Sequence, residues 1–396
     1  MNREKIQDKE IIQMEMTETG KQKESIIVNK RMVSRNPNMK NAIKETFRKY
    51  EGEPRGLLSR IFKKDSSVIK NKLGKFVIDV TGPCDTKQYA FSDMDISAEK
   101  LIEMCKGAFL TGMSGNGFPV FRKLETFCKA NTREKTLIIN AVECEPGLVH
   151  DQWLIENYFE EVIRSASWLA RTIGIKRVII AAKKFPDVQM KLPEEVVTVK
   201  VPAVYPMGEE RILIKQLTGK ELNKEDIPSA KGILVMNIQT LLQVNMAAAG
   251  KQNKGRFVTL ADLDKGRAFA RYVREGEDIC QILMDAFGKR EYLLKGNGVM
   301  GATYVTRGDR IQMSTSFLGV SSKVAQGDVT NRCKGCGRCS KVCPMGINVK
   351  KMIGAAERGK EIDPAALGID RCIGCRGCSY VCPACKNPQE IIGGLK

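Results

Sequence analysis

Long apolar runs are missing from this chain. No stretch reaches about 18 consecutive apolar residues, so no membrane-spanning helix is expected. The amino-terminal segment is charged and lacks the apolar core of a secretory leader, so no signal peptide is expected either. Aromatic residues are scarce, with two Trp and eight Tyr in 396 residues. No basic helix carries interleaved aromatics, which argues against nucleic acid as a partner. Histidine occurs once, as His150. Beside Asp151 at a helix start it reads as a cap-region residue rather than a base. Acidic residues are outnumbered, 46 against 65 Lys and Arg, leaving a net charge of +19. That balance suits an anionic membrane face or an acidic redox partner. Peripheral membrane association therefore stays open, as does a basic surface with no dedicated partner.

Cysteine is plentiful, with fourteen residues, and eight of them are patterned. Cys333, Cys336, Cys339 and Cys343 precede Pro344. Cys372, Cys375, Cys378 and Cys382 precede Pro383 with the same spacing. This is the bacterial ferredoxin signature written twice. The short spacings let three thiolates converge on one [4Fe–4S] cube, and the fourth Cys of each run serves the other cube. The expected sets are Cys333, Cys336, Cys339 with Cys382, and Cys372, Cys375, Cys378 with Cys343. A zinc site would use two pairs of ligands rather than two identical quartets. Disulfides do not fit a chain that points to a reducing cytoplasm. Cys84, Cys105, Cys128 and Cys280 are isolated and read as small buried apolar residues. Cys385 reads as a bystander near the clusters, and Cys144 lies inside an acidic loop.

The texture divides the chain into four parts. Residues 1–75 form a basic, polar extension, expected to be disordered or partly helical. Residues 76–254 alternate strand and helix patterns, which argues for a parallel sheet covered on both faces. Lys75–Val80, Thr136–Asn140, Arg177–Ala182, Val196–Val201 and Gly232–Asn237 read as strands. Ser97–Lys106, Asp151–Ile173 and Ile238–Ala249 read as helices. Residues 255–318 read as a small β-rich unit, with short strands at Phe257–Leu260 and Tyr272–Val273 and a helix at Ile279–Phe287. Residues 319–396 hold the cysteines. The long gap between the quartets, with helical stretches at Met352–Arg358 and Pro364–Leu367, predicts an all-helical dicluster domain.

Three loops in the α/β part carry chemistry. The first runs from Gly112 through Gly115 and Gly117 to Phe118, with Lys123 beyond. Its glycines would let backbone N–H groups approach a phosphate. The second, Asn140 to Gly147, holds Glu143 and Glu145 directly after a buried strand, where open α/β sheets bind ligands. Carboxylates there suit ribose or ribityl hydroxyls. The third, Tyr205 to Glu210, holds Gly208, Glu209 and Glu210 before a helix. Taken singly, each also reads as a plain turn, a solvated turn or a helix start with acids favoured by the dipole.

In this order and spacing the loops resemble those of the NADH-binding flavoprotein subunit of respiratory complex I and its relative, the C subunit of the Rnf electron-transport complex. The resemblance spans about residues 100 to 385 and includes the cysteine quartets. Soluble relatives such as cobalamin reductase and the proline reductase-associated electron-transfer protein are similar too. The resemblance implies a Rossmann-like flavin- and NADH-binding domain, a small β-grasp insert and a dicluster ferredoxin domain. It implies FMN held by Gly112, Gly115, Gly117, Lys123, Asn140, Glu143, Gly208 and Glu209. It implies nicotinamide near Phe118, with Glu145 and Glu210 contacting the NAD(H). Val142 stands where the complex I subunit has an Asp near the flavin, and the Rnf subunit is also apolar there. The implied function is electron transfer from NADH through FMN and two [4Fe–4S] clusters to an acidic partner protein in the cytoplasm. An amino-acid reductase or a cobalamin system would be the acceptor. The competing reading is a flavin-free adaptor that relays electrons between two proteins.

Overall fold

The computed structural model describes residues 88–394 apart from 115–116, 224, 252–253, 323–329 and 362. The expected basic extension and the strand at Lys75–Val80 lie outside the described residues. Two helices open the described part, α1 (Ala98–Gly107) and α2 (Val120–Cys128). Ser97 caps α1, its hydroxyl accepting from Lys100 N at 3.2 Å.

Strands β1 (Thr136–Ala141), β2 (Val178–Ala182), β3 (Val196–Lys200) and β4 (Ile233–Asn237) form one parallel sheet in the order β3-β2-β1-β4. Their near-continuous apolar runs are what a sheet buried on both faces requires. Ile138, Ile179 and Val235 pack toward one core, which includes Ile212 and Leu213. Leu137, Ile139, Ile180 and Leu234 pack toward the other, beneath most of the helices. These helices are α3 (His150–Asn157), α4 (Phe159–Thr172) and α6 (Ile238–Ala248), with α5 (Glu210–Thr218) on the first side.

The single helix expected over Asp151–Ile173 is broken at Tyr158, which leaves helical geometry at φ −123° and ψ 29°. The break turns the Tyr158 ring into an aromatic cluster. Its centroid lies 5.9 Å from Trp153, 5.6 Å from Tyr89 and 6.1 Å from Phe257. Such ring pairs stabilise by about 0.5–1.5 kcal/mol each beyond area burial.

A second sheet follows, in the order β6-β5-β9-β7-β8. It contains β5 (Gly255–Asp262), β6 (Arg267–Arg274), β7 (Tyr292–Gly296), β8 (Thr303–Tyr304) and β9 (Phe317–Ser321), with α7 (Ile279–Phe287) against it. The strands expected to be short, β5 and β6, are eight residues each and pair antiparallel along their full length. β5 is buried throughout because both of its faces are covered. Val258 and Leu260 meet α7, while Phe257 joins the core under the first unit's helices.

After Ser321 no strand occurs among the described residues, as the helical expectation required. The helices are α8 (Arg338–Val342), α9 (Val349–Ala356), α10 (Gly377–Tyr380) and α11 (Pro388–Gly393). The expected helix at Pro364–Leu367 is a turn instead. Asp363 Oδ1 accepts from Ala365 N and Ala366 N, and Gly368 then takes a left-handed φ of 67° that helix cannot continue through.

Candidate flavin and cluster site

All three loops meet at the carboxyl ends of β1 and β4, around a cavity of about 680 Å³. A second cavity of about 380 Å³ adjoins it. Lys123 and Glu210 line both. The two side chains pair, Nζ to Oε1 at 2.8 Å, and stand between the cavities. The first loop is closed on itself, with Gly112 N donating to Phe118 O at 2.8 Å. Gly117 has a left-handed φ of 59°, and Gly115 lies outside the described residues. Phe118 is half exposed and faces the smaller cavity with Gly112.

Asn140, at the end of β1, spends its side chain on the protein. Its Nδ2 donates to Gly208 O at 2.9 Å and its Oδ1 accepts from Val142 N at 3.0 Å. Cys144 Sγ accepts from Gly208 N at 3.1 Å. The acidic loop and the third loop are thus pinned face to face. A Cβ on Gly208 would lie 2.7 Å from Val142 O, so only glycine fits there. Burial pushes the Cys144 thiol up to about 12, which disfavours its thiolate on the cavity wall. Glu209 caps α5, its carboxylate accepting from Arg211 N and Ile212 N at 3.0 Å each.

Glu143 is buried and accepts from Asp151 N at 2.6 Å, at the start of α3. Burial, followed by the Asp151 charge, raises its carboxyl. Asp151 is raised by burial as well, though Asn237 Nδ2 donates to its Oδ2 at 2.7 Å. Its Oδ1 has no hydrogen-bond partner. His150 is the first residue of α3, in the cap region where it was expected. It is buried on the cavity wall, with Nδ1 at 2.9 Å from Thr259 Oγ1, and burial holds it neutral. Lys183 stands within electrostatic reach of Glu143, Cys144 and Asp151.

Glu145 lies at the other end of the cavity. Burial pushes it up to about 8, against a hydrogen bond from Met300 N–H, the nearby Tyr205 hydroxyl, which donates to Cys375 O, and the positive charge of Arg376. A Cβ on Gly298 would come within 2.2 Å of Glu145 Cγ, so the loop at 297–301 closes directly over it. Arg376, Asp151 and Asn237 escaped sequence reasoning as site residues. Arg376 occupies a left-handed φ of 56° where the matching position of the first quartet is Gly337, at 73°. The contrast of Arg with Gly at equivalent positions was the one signal available.

The eight cysteines fall into two groups that cross between the quartets. Cys343, Cys372, Cys375 and Cys378 line one small cavity. Cys339 lies within electrostatic reach of Cys333, Cys336 and Cys382. Burial pushes Cys375 up to about 12 and Cys339 up to about 11. Four thiolates without a cation are therefore disfavoured here, and cationic iron removes that penalty. Gly335 N donates to Cys333 Sγ at 3.3 Å and Gly374 N to Cys372 Sγ at 3.4 Å, the contacts that tune cluster sulfurs. The donor set fits a [4Fe–4S] cluster in each group. Cys375 also lines the 680 Å³ cavity. That cavity falls in the size range of cofactor sites and carries an unsatisfied buried carboxylate oxygen, so it fits a polar ligand of cofactor size.

Residues 105–246 match the Nuo51 FMN-binding domain and residues 327–384 match the 4Fe–4S dicluster domain. The C subunit of the ion-translocating oxidoreductase complex of Vibrio cholerae is 29% identical over 270 residues, covering 64% of this chain and 34% of that protein. Its Rhodobacter capsulatus counterpart is 28% identical over 268 residues, covering 63% and 50%. That of Buchnera aphidicola is 28% identical over 277 residues, covering 66% and 56%. This chain thus spans a third to just over half the length of these relatives. An NAD+-reducing [NiFe]-hydrogenase in the H2-reduced state shares the fold, with a TM-score of 0.51 and 17% identity over 74% of this chain and 60% of that one. The resemblance to the Rnf C subunit holds.

Proposed function

We propose, from its place among the relatives of the Rnf C subunit, that this chain is an NADH-linked flavo-iron–sulfur electron-transfer protein. The observation that carries the reading is Cys375, which lines the loop cavity and the small thiol cavity alike. A flavin in the first would neighbour a cluster in the second. FMN converts a two-electron hydride into single electrons that clusters accept.

The residues supply the rest. Gly112, Gly115, Gly117 and Lys123 offer N–H groups and a cation to a phosphate. Lys123 must leave Glu210 to do so, which frees that carboxylate for dinucleotide hydroxyls. Burial raises Glu143 and Glu145, which favours the protonated carboxyl that a bound ring can hydrogen-bond. Asn140, Gly208 and Glu209 act by holding the loops in place. Phe118 offers a face for the nicotinamide. The sheet unit at 255–318 serves as the β-grasp-like insert, between the α/β unit at 76–254 and the cluster unit at 319–396. Among the described residues no helix is long and apolar enough to cross a membrane. The electrons are destined for a partner reductase of an amino-acid reductase or cobalamin system.

The flavin-free adaptor draws on Val142, an apolar residue on the cavity wall. One preparation decides between them. Anaerobically purified protein should release FMN on acid treatment, hold about eight iron atoms per chain, and bleach on adding NADH. Full iron with no FMN, even after reconstitution, selects the adaptor. Zinc in place of iron overturns both.

A further inference from the structure

If the cavity passes electrons to the clusters, they must also leave, and this inference rests on that reading. The two thiol groups differ in setting. Cys375 and Cys378 belong to the inner group, the first on the cavity wall and the second buried. Cys336 belongs to the outer group, and it is the one exposed thiol of the eight.

Charge differs in the same direction. Between Asn331 and Lys360 the chain has eight Lys and Arg against one acid, Glu357. Between Glu361 and Lys386 it has three of each sign. Arg332, Lys334, Lys341, Lys350, Lys351 and Arg358 are all exposed. Glu357 cannot offset them, since it already accepts from Cys333 N at 2.8 Å and from Lys386 Nζ at 3.1 Å. Lys350 stands beside the outer thiols: its Cδ is 3.8 Å from where a Cβ on Gly337 would lie, one residue past Cys336.

We propose that the surface around Cys336 is the electron port of this protein and docks a small acidic electron-carrier protein. One electron crosses there; the outer cluster is oxidised by one and the carrier reduced by one, with no bond made or broken. The charges flank the one solvent-facing ligand thiol, which favours a redox protein over an anionic lipid surface that accepts no electrons. Carboxylates on the carrier would be steered to this face and held over Cys336.

The test uses full-length protein reduced with dithionite and desalted, so that no step depends on NADH. Purified flavodoxin, an acidic carrier, is the acceptor, and cytochrome c is the basic control. The variant K350E/K351E/R358E reverses three exposed charges outside the Cys333–Cys343 run. The variant R133E/K176E/R177E reverses three on a basic groove at the opposite end of β1. Iron content and the cluster electron spin resonance signal check that both variants stay loaded. At low salt the first variant should reduce flavodoxin about ten-fold or more slowly. The gap should close near 1 M salt, where the Debye length is about 3 Å. Cytochrome c reduction should speed up, and the second variant should behave as wild type. Equal slowing in both variants, or none in the first, overturns the proposal. So does loss of binding to phosphatidylcholine–phosphatidylglycerol vesicles with an unchanged flavodoxin rate, which would make the patch a lipid contact. Protein that ignores NADH yet passes this test would sink the flavin reading and leave the docking face standing.

Discussion

The Lys123–Glu210 pair makes opposite predictions for its two members. The ion pair is partly exposed, with side chains 26% and 37% accessible, so it adds at most about 1 kcal/mol to the free protein. Breaking it is therefore cheap. A phosphate that takes Lys123 gains a charge-assisted hydrogen bond, worth about 1.5–3 kcal/mol. Lys123→Ala should then weaken FMN binding by about ten- to a hundred-fold, since 1.4 kcal/mol is a factor of ten. Glu210→Ala should leave FMN affinity unchanged or tighten it by up to about five-fold, because Lys123 no longer has to leave a partner. The same Glu210 variant should weaken NADH. Titrating FMN into deflavinated protein, followed by flavin fluorescence, measures the first two, and the double variant completes the cycle. If both single variants lose FMN equally and the double loses no more, the pair is a structural strap between α2 and α5. The phosphate assignment would then be wrong.

Two further outcomes follow from the same cavity. Gly208→Ala should cost about 1–3 kcal/mol and release FMN, because its Cβ would press on Val142 O and Cys144 Sγ. Gly107→Ala, whose Cβ would meet nothing within 4 Å, should be neutral in the same thermal melts, and equal effects would refute the packing argument. Glu145 is raised to about 8 from an ordinary carboxylate value, so between these the folded form keeps a proton that the unfolded chain gives up. Its contribution to stability is thus full at acid pH and lost as pH rises toward 8. Melting temperature should fall less between pH 5.5 and 8.5 in Glu145→Gln than in wild type; identical slopes would place Glu145 in water.

What could be read locally was the backbone, and what could not was the identity of the groups that bury one another. The runs Thr136–Asn140, Arg177–Ala182 and Gly232–Asn237 announce a parallel sheet because a strand covered on both faces has no room for alternation. The two cysteine quartets announce their ligands for a similar reason, since the spacing itself is the chemistry. Periodicity runs unbroken through Tyr158, however, because the ring that ends the helix is held by Tyr89 and Phe257, far away in sequence. Arg256 stands one residue outside the short strand read at Phe257–Leu260. It is fully buried, with its guanidinium donating to Met113 O and Ser316 Oγ, and those partners let β5 run its full eight residues inside the protein. The cavity divides in the same way. Its glycines and acids are local and were legible as three loops. Whether Glu145 faces water or protein is decided by Gly298 and Arg376, which come from other units and obey no local rule. The raised carboxyls of Glu143 and Glu145 therefore belong to the assembled fold. A chain with the same three loops but an open 297–301 segment would leave Glu145 an ordinary acid and the site changed at that end.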